Sequence, residues 1–172
     1  MPRDPLPSPS ELQIRHAERE DAAAVVRMIR RLAVPHGERA PLGRAVAEWD
    51  VLGDEPWATA LVAEAGPALV GCAVFGRHYR TPSAGRCLDL GSLFVEPAWR
   101  GRGVGRALVE AVLRHARVLD CSRVVVGTVA ADAPAQAFYE RLGFAPAALA
   151  GPRHRALVSP ALQGAQPEDR RP

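Results

Sequence analysis

The segment that most constrains the fold is residues 100–105, with the sequence RGRGVG, which lies between an apolar stretch and an amphipathic one. Its three alternating glycines allow a tight turn and a close approach of a ligand to the backbone, because they carry no Cβ. The pattern that follows predicts a helix over residues 102–119, with Val104, Leu108 and Val112 on one stripe. The first amides of a helix lack internal acceptors and lie at the positive end of its dipole. The segment therefore predicts a strand–turn–helix unit that binds a phosphate or pyrophosphate.

Residues 100–106, which we call the glycine-rich turn, do not match the two commonest phosphate-binding motifs. A dinucleotide-binding motif needs a third glycine at the position of Arg106. The phosphate loop of nucleoside triphosphatases needs Gly-Lys-Ser/Thr, and the chain contains no lysine. The turn therefore represents a different kind of anion site.

Strand and helix patterns mix along the chain in an order that predicts an α+β fold, a three-layer α/β arrangement with helices on both faces of one sheet. A run of valines at 124–126, followed by Val129, predicts a strand buried on both faces. We expect a single domain over residues 11–159, closed by a hairpin over 144–149 and 153–158. Residues 1–10, with four prolines, and residues 160–172 are predicted to be disordered tails.

Two further motifs flank the helix that follows the turn. Arg100, Gly103 and Gly105 fit the acetyl-CoA motif of Arg or Gln, two residues, Gly, one residue, and Gly or Ala. Residues 93–99 (LFVEPAW) match the strand and loop that precede this motif, and residues 132–144 (DAPAQAFYERLGF) match a second motif, a helix ending in Phe-Tyr-x-x-x-Gly-Phe. On these motifs the chain resembles the GNAT superfamily of N-acyltransferases over about residues 12–150.

The resemblance implies a central mixed, mostly antiparallel sheet whose fourth and fifth strands splay apart to admit acetyl-CoA. It also implies that the pantetheine arm pairs with the backbone of the fourth strand, with the Val95 N–H facing the thioester oxygen. Asp132 stands where the family commonly has an Asn that contacts the cofactor. Aspartate lacks the amide donor of asparagine, so the resemblance does not decide whether Asp132 makes the same contact. The expected cofactor-binding residues are Leu93, Phe94, Val95, Arg100, Gly101, Arg102, Gly103, Val104, Gly105, Arg106 and Asp132.

Tyr139 occupies the position from which the family protonates or hydrogen-bonds the departing sulfur. A phenol has a pKa of about 10 and a thiol one of about 8.5, so full proton transfer to the thiolate is uphill by roughly 2 kcal/mol. Tyr139 is therefore expected either to have a shifted pKa or to act mainly as a hydrogen-bond donor.

The group that removes a proton from the amine is less well defined by the sequence. A protonated alkylamine has a pKa of about 10.4, so little nucleophile exists at neutral pH without help. Asp89, on the fourth strand, is the candidate base, and alternation turns it away from Leu88 and Leu90. Glu96 is a second candidate, although its place beside Pro97 is typical of a solvated loop residue. Many family members use a chain of water molecules instead.

The resemblance implies an enzyme that moves an acetyl group from acetyl-CoA to a primary amine, of a small molecule or a peptide, by direct transfer in a ternary complex. Within the superfamily the chain is most similar to the spermidine/spermine N-acetyltransferase branch. That branch carries an acidic pair where this chain has Gly91 and Ser92, which weakens a polyamine interpretation. Asp50, Asp54 and Glu55 form an acidic cluster with two interpretations. The cluster either attracts the amine acceptor or is the solvated end of a helix.

Two other function classes are compatible with parts of the sequence. A catalytically silent acyl-CoA-binding module would keep the glycine-rich turn without transferring acetyl. An arginine-rich nucleic-acid binder is weakly supported, because the 22 arginines are spread along the whole chain.

Composition supplies the remaining expectations. The three cysteines, Cys72, Cys87 and Cys121, lack metal-ligand spacing, so no metal is expected. Without a leader pattern or a long apolar run, we expect a cytoplasmic protein with no membrane and no nucleic-acid partner. The resemblance allows a homodimer, and no residue pattern assigns its interface.

Overall fold

The computed structural model describes residues 12–34, 42–81 and 84–146, which form five strands and four α-helices around one sheet. The elements are β1 Leu12–His16, α1 Ala22–Ala33, α2 Arg44–Asp50, β2 Thr59–Ala65, β3 Ala68–Arg80, β4 Gly85–Val95, α3 Val104–Val118, β5 Arg123–Val126 and α4 Ala133–Arg141. Short 3-10 turns precede α1 and α3. None of the four described helices has the length and apolar character that a membrane span needs.

The sheet has the strand order β1-β2-β3-β4-β5, antiparallel except for the parallel pair β4–β5. The predicted mixed, mostly antiparallel sheet is confirmed. Pairing between β4 and β5 ends at Leu90 and Val126, whereas β4 continues for five more residues to Val95. Within the described residues, the second half of β4 therefore has a strand on one side only, and the sheet is split where the resemblance implied.

Helices cover both faces of the sheet, as predicted. Side chains alternate along β2, because successive residues of a strand point to opposite faces. Leu61 and Ala63 join the core beneath α3, and Val62 joins the smaller cluster beneath α1. The stripe predicted for α3 is confirmed, since Leu108 and Val112 are fully buried against the sheet.

Two predictions about β5 are wrong. Its valines are half-buried rather than buried on both faces, because in the described part of the chain β5 pairs only with β4. Val129 lies beyond the strand and is 47% exposed. The predicted tails and all but the first residues of the predicted final hairpin lie outside the described residues.

A salt-bridge network fixes the start of α1 to the edge of the sheet. Arg15 on β1 donates to Glu64 on β2 at 2.7 Å and to both carboxylate oxygens of Asp21, at 2.6 and 3.2 Å. Asp21 also accepts from the Glu18 amide at 2.8 Å and is 8% exposed. The hydrogen bonds from Arg15 hold the pKa of Asp21 below its usual value.

The network predicts a pH-dependent loss of stability in Asp21→Asn. A carboxylate with a lowered pKa in the folded state stabilises the fold above its unfolded pKa of about 3.9, and that contribution is lost as the pH falls through the folded value. We expect the free energy of unfolding to fall by about 1.5–3 kcal/mol at neutral pH, the range for hydrogen bonds to charged groups. Urea unfolding should show the difference from wild type shrinking at acidic pH. The exposed neighbour Glu20→Gln is the control, and an equal loss in both variants would contradict this role.

Candidate active site

The glycine-rich turn has the backbone conformation that its glycines predict. Gly101 and Gly103 have φ angles of 73° and 84°, in the left-handed region that other residues rarely adopt. No atom lies within 4 Å of where a Cβ would stand on either residue, so a ligand has room to approach the backbone. Helix α3 begins at Val104, with Gly103 as its N-cap. The first amides of a helix lack intrahelical acceptors and lie at the positive end of its dipole, so this end of α3 is suited to an anion.

Gly105 has a different role, since it lets α3 pack closely against α4. A Cβ at this position would stand 3.2 Å from Cζ of Phe138 and 3.7 Å from Cγ2 of Val95. The first distance is tighter than an ordinary contact, so a side chain at residue 105 would require the Phe138 ring to move by a few tenths of an ångström, whereas 3.7 Å is an ordinary van der Waals distance. The first turn of α3 therefore lies beside the Phe138 ring and the side chain of Val95.

The three arginines of the turn have protein partners in the structure. The Arg100 Nε donates to the Val95 carbonyl at 3.0 Å, the Arg102 guanidinium lies 5.6 Å from the ring centre of Trp99, and Arg106 forms an ion pair with Glu110 at 3.8 Å. Arg100 thus supports the end of β4. The expectation that these arginines add charge near the phosphates stays a prediction.

The open edge of β4 presents backbone groups from alternate residues. The Glu96 amide donates to the Val70 carbonyl at 2.9 Å, which makes Val95 and Gly71 a non-hydrogen-bonded pair. The N–H of Val95 therefore points away from β3, into the split, and by alternation that of Leu93 does the same. Phe94 faces β3 with its backbone and is 3% exposed beneath α1. Its predicted cofactor contact therefore rests on the resemblance alone.

A pocket of about 290 Å³, which we call the central pocket, lies in the split between β4 and β5. A bulge shapes its wall on β4, because Val74 pairs with Ser92 and Phe75 with Leu90, which leaves Gly91 as the extra residue. The residues that line the central pocket come from β4, the end of β5 and the loop after it, the C-terminal half of α1, and α4. They are Ile29, Leu32, Ala33, Leu90, Gly91, Ser92, Leu93, Val126, Gly127, Thr128, Val129, Asp132, Ala135 and Tyr139.

Tyr139 lines the central pocket from α4 and is 9% exposed. Its ring packs edge-on against Phe138 and Phe144, with centroid distances of 5.0 and 5.5 Å. Burial, and then the charge of Asp132, raise the pKa of Tyr139 to about 12. The phenol is therefore protonated throughout the neutral range and is suited to donating a hydrogen bond into the pocket.

Asp132 lines the same pocket and caps α4. One of its carboxylate oxygens accepts from the Ala135 amide at 3.0 Å. Gln136 holds the preceding loop by donating to the carbonyls of Val129 and Ala130, at 3.2 and 3.1 Å. The carboxylate thus keeps the acceptor role of an asparagine at this position, and its contact with a cofactor stays a prediction.

Neither of the two candidate bases is among the residues that line the central pocket. Asp89 is exposed on the face opposite Leu88 and Leu90, as alternation predicts, and it is not among the residues that line the central pocket. Glu96 is not a solvated loop residue as expected: both of its carboxylate oxygens accept from Arg31 of α1, at 2.7 and 2.6 Å. No cluster of three metal-ligating side chains occurs in the described ranges.

The geometry agrees with comparisons against known proteins. The sequence model of the acetyltransferase (GNAT) family matches residues 24–144. The chain belongs to this GNAT family. It is therefore an N-acetyltransferase, and the family implies acetyl-CoA as the acetyl donor.

Relatives and solved structures support the assignment to the GNAT family. The thialysine N-epsilon-acetyltransferases of Bos taurus and Sus scrofa are 28% identical over 142 residues and 29% identical over 140 residues, covering 77% and 76% of this chain and 83% and 82% of theirs. The ribosomal-protein-alanine N-acetyltransferase of Brucella melitensis biovar Abortus 2308 has a TM-score of 0.69 at 20% identity, covering 84% of this chain and 99% of its own. An aminoglycoside acetyltransferase from a soil metagenome, in complex with sisomicin, has a TM-score of 0.70 at 15% identity, with coverages of 86% and 97%. At these identities the structures show the shared fold.

Helix α1 contributes a wall of the site that sequence reasoning missed. Ile29, Leu32 and Ala33 line the central pocket, and Arg31 reaches from the same helix turn to Glu96 and to the ring of Phe94, 5.2 Å away. The apolar residues follow the helical pattern of any packed helix, so no local signal distinguishes a pocket wall from core. Only the apposition of α1 and β4, which are far apart in sequence, reveals their role.

Proposed function

We propose that the protein transfers an acetyl group from acetyl-CoA directly to a primary amine held with it in a ternary complex. The observation that carries this proposal is the central pocket, where Tyr139 and the open backbone edge of β4 line one space. Gly105 of the glycine-rich turn lies beside Phe138, which precedes Tyr139, and beside Val95, which follows the lining residues of β4. The turn supports binding of the diphosphate, and the N–H groups of Leu93 and Val95 support pairing with the pantetheine arm.

The acceptor ammonium first gives one proton to water, because only the free amine is a nucleophile. In the transfer step the amine nitrogen forms a bond to the thioester carbonyl carbon, the C–S bond breaks, coenzyme A leaves as a thiolate, and the nitrogen gives a second proton to water. The N–H of Val95, which points into the split, is suited to stabilising the negative charge that develops on the carbonyl oxygen. Tyr139 donates a hydrogen bond to the departing sulfur without giving up its proton, because its pKa of about 12 lies above that of a thiol. Since Asp89 is outside the pocket lining, we assign the removal of the amine proton to water.

The acceptor that fits these walls best is a small amine with one reactive ammonium group. Gly91 and Ser92, which stand where the polyamine-acetylating branch has an acidic pair, both line the central pocket, so Asp132 is the one carboxylate among its described lining residues. The names of the two mammalian relatives point to the ε-amine of a lysine analogue. We therefore propose thialysine and lysine ahead of spermidine and of peptide N-termini.

An acceptor screen that measures release of coenzyme A tests this proposal. We expect thialysine to support the highest kcat/KM among thialysine, lysine, spermidine and an N-terminal alanine peptide. Because this sequence contains no lysine, any acetyl-lysine detected belongs to the acceptor and not to the enzyme. Ser92→Glu should raise the kcat/KM for spermidine relative to thialysine, and Ser92→Gln, of equal size without the charge, should not.

The screen also distinguishes enzyme from binding module. Binding of coenzyme A without its release from acetyl-CoA by any of the amines would favour the catalytically silent acyl-CoA-binding module. A preference for spermidine in the wild type would contradict the acceptor class while leaving acetyl transfer intact.

A further inference from the structure

A second cavity, of about 300 Å³, lies near the C-terminal end of α3, away from the glycine-rich turn. Three basic side chains line it: His16 from the end of β1, Arg77 from β3 and His115 from α3. His115 is eleven residues beyond the first residue of α3, which corresponds to about 16 Å along the helix axis. We call this space the basic cavity, and it is separate from the central pocket.

The basic side chains have no negative partner in the basic cavity. The rings of His16 and His115 are 5.6 Å apart, and His115 also packs against the edge of Phe75 at 5.1 Å. Arg77 takes part in no ion pair within the described residues. Burial, and then the charges of His16 and Arg77, lower the pKa of His115. The groups therefore repel one another when all are protonated, and an anion between them would relieve that repulsion.

The other residues that line the basic cavity are mostly apolar. Val51, Leu52 and Pro56 come from the segment between α2 and β2, and Val51 is 9% exposed. The amides of residues 57 and 58 donate to the carbonyl of residue 50, at 2.8 and 3.2 Å, which fixes this segment. Its acidic residues, Asp54 and Glu55, are exposed and are not among the lining residues.

We propose that the basic cavity is a second ligand site, which takes a small organic anion with a short apolar tail. The carboxylate or phosphate group lies between His16, Arg77 and His115, and the tail lies against Val51 and Leu52. The site is independent of the acetyl-transfer reaction, because it shares no lining residue with the central pocket.

Histidine titration by NMR tests the site, with hexanoate and inorganic phosphate as probes and coenzyme A present to occupy the central pocket. We expect hexanoate to raise the pKa of His115 in a saturable way, with a Kd in about the millimolar range. Arg77→Gln should weaken this binding at least tenfold. His78→Gln is the matched control, because the next residue of β3 points to the other face and does not line the cavity.

Three results would overturn the proposal. One is the absence of a saturable change at His115, and another is equal hexanoate affinity in wild type and Arg77→Gln. The third is that inorganic phosphate binds as tightly as hexanoate, which would show that the apolar tail contributes nothing to the affinity. The readout is the resonance of His115, so a failure of acetyl transfer in the acceptor screen would not affect it.

Discussion

Replacing Gly103 by valine is expected to weaken the binding of coenzyme A by about tenfold to a hundredfold. Each hydrogen bond between an amide and a charged phosphate contributes about 1.5–3 kcal/mol, so the loss of one such bond produces an effect of this size. Gly103 has a φ of 84°, where a β-branched residue is strained, and the turn must move to relieve that strain. The first amides of α3 then no longer converge on the same point. Isothermal titration calorimetry with coenzyme A measures the change.

Gly43→Val is the matched control for this experiment. Gly43 is also a helix N-cap with no atom within 4 Å of a built Cβ, but its φ of −93° is one that valine adopts without strain. We expect coenzyme A to bind this variant as tightly as the wild type. Unchanged affinity in a correctly folded Gly103→Val, or an equal loss in both variants, would contradict the role of the turn.

Tyr139→Phe is expected to lower kcat at least tenfold and to leave the affinity for acetyl-CoA unchanged. Phenylalanine keeps the edge-on ring contacts with Phe138 and Phe144 and removes only the hydroxyl that hydrogen-bonds the departing sulfur. Steady-state kinetics with the best acceptor, together with calorimetry, separates the two effects. The chain's other tyrosine provides the control, because Tyr79 is 57% exposed at the end of β3 and Tyr79→Phe should keep full activity.

The pH profile gives a second readout for Tyr139. Because its pKa is raised to about 12, the phenol does not ionise in the range of the assay. A rise in kcat between about pH 7 and 9 therefore reports deprotonation of the amine, and Tyr139→Phe should lower the profile without changing its shape. An unchanged kcat in Tyr139→Phe would remove Tyr139 from the mechanism.

Local patterns in the sequence predicted the parts of the site that depend on local geometry. The glycines at 101 and 103, the buried stripe of α3 and the outward orientation of Asp89 follow from backbone conformation, helical period and strand alternation. The GNAT resemblance added the split between β4 and β5 and the position of Tyr139. All of these appear in the structure where the sequence indicated.

Features that depend on contacts between distant segments were not predictable. Glu96 looked solvated beside Pro97, but Arg31, 65 residues away in sequence, binds both of its carboxylate oxygens. The burial of the β5 valines depends on which strands lie beside them, and a run of valines does not specify its neighbours. The approach of the Phe138 ring to within 3.2 Å of a Cβ built on Gly105 depends on how α4 packs against α3, which the local sequence does not specify.

The most direct test is a comparison of coenzyme A with pantetheine, which lacks the diphosphate and the 3′-phosphoadenosine, by calorimetry on the wild type and on Gly103→Val; the variant attributes the difference in affinity to the turn. If backbone amides of the glycine-rich turn hold the diphosphate, the wild type should bind coenzyme A at least a hundredfold more tightly than pantetheine. Gly103→Val should narrow that difference by weakening coenzyme A alone. Equal affinities for the two compounds in the wild type, or an equal loss of both in the variant, would contradict the account.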